Sequence, residues 1–110
     1  MTTDYLSETL TRDAADALPG PTVLNFGIGW CGHCQQARPL VEAAVAAQGD
    51  AIRHLRIEDG RGRPLGRSYR VKLWPTLVVL RDGEEVARVV RPQSQADVER
   101  ALQAAAPAGG

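Results

Sequence analysis

The chain switches repeatedly between a helical and an extended hydrophobic period. Residues 4–18 read as a helix that ends at Pro19-Gly20-Pro21, a run that cannot continue it. Thr22-Val23-Leu24-Asn25-Phe26 is short and mostly apolar, which suits a buried strand. Gly27-Ile28-Gly29-Trp30 turns the chain. From Cys31 or Gly32 to about Gln48 the period is helical, with Leu40, Val41, Ala44 and Val45 on one face. Pro39 lies inside this helix, has no amide hydrogen to donate and is expected to kink it. Gly49 follows as the C-cap glycine.

Residues 51–57 are expected to form a second strand, and residues 58–63 a loop rich in charge and glycine. Residues 64–70 read as a weak helix, since Gly62 and Gly66 lower the propensity. Trp74-Pro75-Thr76 leads into Leu77-Val78-Val79-Leu80, apolar at every position and so suited to burial on both faces. Asp82-Gly83 is a hairpin signal, and residues 85–91 alternate as an antiparallel partner. Ser94, with Asp97 three positions on, starts a last helix in the manner of a capping box. Val98, Ala101, Leu102 and Ala105 form its inner stripe. The order α-β-α-β-α-β-β-α predicts an α/β sandwich with a mixed sheet. One domain is expected over residues 1–106, with residues 107–110 as a flexible tail.

Composition narrows the function classes. With 110 residues the chain can close one ordinary core. Thirteen basic residues balance thirteen acidic ones, which argues against a nucleic-acid binder. No apolar run approaches the ~20 residues of a membrane span. The start, Met1-Thr2-Thr3-Asp4-Tyr5, lacks the basic and apolar regions of a secretory signal, so a cytoplasmic location is expected; the chain is separately expected to be a monomer. Charge is unevenly spread. Arg53, Arg56, Arg61, Arg63, Arg67, Arg70 and Lys72 face only Glu58 and Asp59 within their segment. Such a segment is either a solvated surface or a docking face for acidic partner proteins.

The informative motif is Trp30-Cys31-Gly32-His33-Cys34. A disulfide between cysteines three apart would staple almost none of the chain, so a structural bridge is a poor explanation for the pair. On the first turn of a helix the two sulfurs come within disulfide range. The first sits where amide hydrogens lack partners and the helix end carries roughly half a positive charge, which favours thiolate over thiol. Cys34 lies further in and is the less exposed. Cys31 is thus the expected nucleophile and Cys34 the resolving thiol. His33 either tunes the thiolate through its imidazole or is an ordinary exposed loop histidine. A zinc site would need four ligands, and His33 and His54 are the only histidines available to join the cysteines. With His33 wedged between the would-be ligands, no metal is expected.

The motif, Pro39, Trp74-Pro75-Thr76-Leu77 and the Asp82-Gly83 hairpin, in this order and spacing, resemble the thioredoxin superfamily over residues 22–102. The dipeptide Gly32-His33 resembles that of protein disulfide isomerase domains. The resemblance implies a thioredoxin-like three-layer sandwich, with helices on both faces of the mixed sheet. It implies a thiol–disulfide oxidoreductase, reductase or isomerase, that acts on protein disulfides without a bound cofactor and is recharged by an NADPH-dependent disulfide reductase or by small thiols. It also implies a cis Trp74-Pro75 peptide facing Cys31, at the edge of a substrate groove formed with Trp30, Thr76 and Arg91. Trp74 either sits on that groove or packs in the core.

Three positions depart from the family pattern. Asn25 stands where a buried aspartate is usual and cannot take a proton from Cys34. Gly27 stands where an aromatic is common. Arg91-Pro92 replaces the glycine of the docking turn. The position of a family lysine aligns with His54, which makes His54 either a proton relay for Cys34 or a solvent-facing side chain at a strand end. These departures also motivate an alternative: a thioredoxin-fold protein-binding or chaperone module with little redox turnover.

Overall fold

The structure is a computed structural model that describes residues 10–105. Thr11 caps the first helix, α1 (Arg12–Asp16), by accepting the Ala14 amide on its hydroxyl at 3.1 Å. The helix is therefore shorter than the period suggested, and residues 4–9 of that expectation lie outside the described residues. So does the expected tail. β1 (Pro21–Gly27) follows the predicted break, and α2 (Gly32–Ala47) runs through Pro39 without interruption. Gly49 adopts the left-handed conformation, φ +61°, that a helix C-terminus requires.

The second strand starts later than expected. Gly49–Ala51 form a 3₁₀ turn, with the Ala51 amide bonded to the Gln48 carbonyl at 3.1 Å, and β2 spans Arg53–Glu58. The third helix, α3 (Pro64–Ser68), also stops early, because Arg70 takes φ +60°. β3 (Thr76–Arg81) and β4 (Glu84–Val90) make the hairpin through Asp82 and Gly83, both at positive φ as a primed turn demands. A Cβ at Gly83 would overlap the Asp16 carbonyl, so only glycine lets the turn lie against α1. α4 (Gln95–Gln103) begins at Ser94, whose hydroxyl accepts the Asp97 amide. The Asp97 carboxylate accepts the Gln93 amide, which holds it below the usual carboxylate range.

The sheet order is β2-β1-β3-β4, with β1 parallel to β2 and antiparallel to β3, and β3 antiparallel to β4. The period-2 pattern splits the core in two. Val23, Leu77 and Val79 pack with Ala37, Val41 and Ala44 of α2 and Val98 and Leu102 of α4. Leu24, Phe26, Val78 and Leu80 turn the other way, onto Ala15 of α1 and Leu65 and Tyr69 around α3. Helices thus cover both faces of a mixed sheet, the predicted three-layer arrangement. At one end of the sheet, β1 hands the chain to α2 beside the turn that enters β3.

Candidate active site

Cys31 is the N-cap of α2. Its backbone is extended (φ −79°, ψ 123°), and its Sγ accepts the Cys34 amide at 3.3 Å. The sulfur does what a serine or aspartate does at other helix starts: it takes up an otherwise orphaned donor. That donor and the N-terminus of a 16-residue helix both point at the sulfur. Both cysteines are free thiols and nearly buried; Cys34 is the less exposed at 4%, against 8% for Cys31. His33 is exposed on the same turn.

Across from the motif, Trp74-Pro75 is a cis peptide. Trp74 neither enters the core nor stands free. Its indole is half-buried, meets Trp30 edge-on (centroids 6.1 Å apart, 82° between planes) and donates from Nε1 to Asp59 Oδ2 at 2.8 Å. Trp30 is 75% exposed, which leaves it as the outer wall of the site. Arg91 is half-buried and donates from Nε to the Trp74 carbonyl at 2.8 Å, while its amide bonds the Pro75 carbonyl at 2.9 Å. Pro75 and Thr76 differ from the expectation that they line a groove. Both are fully buried, and the Thr76 hydroxyl donates to the Leu73 carbonyl at 2.6 Å. They fix the turn that carries Trp74, and their side chains present no surface to a partner.

Asp59 escapes a sequence reading that treats the 58–63 loop as solvated. It is buried, and a Cβ at Gly66 would overlap its carboxylate. Gly66 therefore serves close approach in α3, and a lone glycine in a helical stretch was the available signal.

Beneath Cys34 lies a cavity of about 10 Å³, at the threshold for a single water, lined by Asn25, Arg38, Arg56 and Pro75 among others. Asn25 Nδ2 is 3.3 Å from His54 Nε2, a hydrogen bond when the ring proton sits on Nδ1. His54 thus faces inward, which removes the alternative of a solvent-facing strand end. Burial, and secondarily the Arg56 charge, push its pKa down to about 4. Arg56 pairs with Glu42 of α2 at 2.8 Å. The basic segment is likewise not uniform. Arg53 bonds the Pro19 carbonyl and the Thr22 hydroxyl, and Arg63 pairs with Glu58. Arg67 and Lys72 line a groove of about 220 Å³ against Trp74.

Two sulfurs so placed can pass two electrons between a dithiol and a disulfide, and the framework that holds them is that of the thioredoxin-like proteins. Comparison with known proteins gives the same family. The Thioredoxin family model matches residues 8–104, and the chain belongs to that family. A thioredoxin of Mycolicibacterium smegmatis is 31% identical over 84 residues, 74% of this chain and 75% of its own. A thioredoxin of Bacillus subtilis is 32% identical over 73 residues, 66% of this chain and 70% of its own. The structure of thioredoxin 2 from Pseudomonas aeruginosa PAO1 in its reduced form superposes with a TM-score of 0.82 at 53% identity, over 94% of each chain. The chain is a thiol–disulfide oxidoreductase. Among the described residues no helix is long and apolar enough to cross a membrane.

Proposed function

We propose that this single-domain protein reduces or isomerises protein disulfides in the cytoplasm as a monomer, with Cys31 as nucleophile and Cys34 as resolving thiol. The observation that carries the assignment is the Cys34 amide directed at Cys31 Sγ on the helix N-cap. The Cys31 thiolate attacks one sulfur of the substrate; the substrate S–S bond breaks, and the other substrate sulfur leaves as a thiolate that takes a proton. Cys34 then loses its proton and attacks Cys31 Sγ. The second substrate thiol departs, two electrons have passed to the substrate, and a Cys31–Cys34 disulfide remains. An NADPH-dependent disulfide reductase or small thiols restore the dithiol. At the cytosolic poise, well below the ~−180 mV of isomerase-type motifs, the pair rests reduced.

His33, one residue from Cys34 and exposed, tunes the thiolate. Trp30, Trp74 and Arg91 form the surface that meets the substrate, and Pro75 and Thr76 hold it in place. His54 accepts the Asn25 amide and so positions Asn25 at the small cavity beneath Cys34, and the Cys34 proton leaves through water. With its pKa pushed down to about 4 by burial, the ring stays neutral from pH 6 to 8 and adds no titration step of its own there. Two variants test the roles. Cys34→Ser is expected to accumulate mixed disulfides through Cys31, and Cys31→Ser to abolish turnover in an insulin reduction assay. Adducts that form through Cys34 in a Cys31→Ser protein would reverse the assignment.

A further inference from the structure

Arg91 follows β4 with φ +49°, a left-handed conformation that costs a non-glycine residue free energy. Its side chain is tied down where that cost is met: Nε donates to the carbonyl of Trp74, immediately before the buried Pro75. The tether uses one edge of the guanidinium. Among the described residues no carboxylate pairs with Arg91. The side chain borders a groove of about 450 Å³. Pro92 and Gln93 continue its wall, and His33, Gln36 and Leu40 of the cysteine helix face them. His33, between the two cysteines in sequence, brings the groove up to the cysteine turn, although neither cysteine lines it.

A planar guanidinium fixed at Nε and open at its two terminal nitrogens is shaped for a carboxylate, and the tether removes much of the side-chain entropy cost of binding one. The charge around the site agrees. On the far flank of Trp74, Arg67 and Lys72 line the second groove, and the carboxylate there, Asp59, is taken up by the Trp74 indole. The rim is cationic on both sides in a chain of zero net charge.

We propose that Arg91 is a specificity-determining residue that receives an aspartate or glutamate of the partner protein, next to the disulfide presented to Cys31. This deepens the exchange function proposed above and rests on it.

The test uses three disulfide-bonded peptides that differ only in the residues flanking the cysteine: acidic, amide and lysine. The readout is the ratio of kcat/KM values between peptides for each form of the full chain. Wild type is expected to prefer the acidic over the amide peptide by about fivefold at low salt, the size of a half-exposed ion pair, with the preference shrinking as salt rises. Arg91→Gly, which suits the left-handed backbone, is expected to bring the ratio near one. Arg91→Glu is expected to invert the order in favour of the lysine peptide. A wild-type ratio near one, or a preference that survives unchanged in Arg91→Gly, overturns the proposal. Failure of the wild type to reduce any of the three overturns the exchange function and this inference with it.

Discussion

On one face of β1, Leu24 and Phe26 are completely buried among Leu65, Tyr69, Val78 and Leu80. On the other, Val23 is equally buried, but the next side chain on that face is Asn25, whose amide meets His54, with Arg56 and Glu42 paired alongside. Both faces belong to one strand, and both are covered by helices. The first is filled with apolar volume that stabilises the fold. The second contains polar groups that cost free energy to bury unless each finds a partner. Asn25 and Arg56 line the small cavity under Cys34, a thiol that must lose and regain a proton. An entirely apolar floor would give that proton no acceptor and no route out. The cost of the polar face is concentrated where the chemistry needs it.

The largest effect should come from the apolar face. Phe26 is fully buried, with its ring 5.9 Å from that of Tyr69, and Phe26→Ala is expected to cost about 3–5 kcal/mol in urea unfolding. Asn25→Ala, on the opposite face of the same strand, is expected to cost nearer 1 kcal/mol, because it removes a modest hydrogen bond and little volume. Equal losses would mean that the two faces are not divided in this way.

A second measurement isolates the polar face by its proton. His54 has a folded pKa of about 4 against an ordinary 6.5, so between these values the unfolded chain binds a proton that the folded chain refuses. Stability from this group is complete above pH 6.5 and is lost as pH falls toward 4, by about 3 kcal/mol. His54→Gln keeps an acceptor for Asn25 and has no charge to gain. Its unfolding free energy should therefore fall less between pH 7 and pH 4.5 than that of the wild type. An identical acid limb in both proteins would remove His54 from the account.

A smaller effect is expected at Gly66. In most helices Gly→Ala stabilises, but here the added Cβ meets the Asp59 carboxylate. Gly66→Ala should cost about 1–3 kcal/mol and release the Trp74 indole from its acceptor, visible as a red-shifted tryptophan emission. A more stable protein with unshifted emission would show that the Asp59–Trp74 bond does not set the wall of the site.

Much of the molecule was legible in order of sequence. The four strands, the cysteine helix, the 82–83 hairpin and the Ser94 cap follow from hydrophobic period and turn chemistry, which act over a few residues. The boundaries that moved did so for backbone reasons with weak local signals: the 3₁₀ turn at Gly49–Ala51 and the positive φ of Arg70 and Arg91. The cysteine pair was legible for the same reason as the elements. Its spacing and its place at a helix start contain the whole of the local chemistry.

Local patterns along the chain thus set the α/β order, the apolar run that buries β3 on both sides, and a dithiol whose first sulfur caps a helix. Tertiary structure decided which distant groups complete the site. Trp74 is held by Asp59, fifteen residues away, across a glycine in a third segment; Asn25 reaches His54 on the neighbouring strand; Arg91 closes on the Trp74 carbonyl. Each of these contacts joins positions with no shared period or motif. Local rules fix the conformation of a segment, but such partners are fixed only when sheet register and helix packing bring them within hydrogen-bond range.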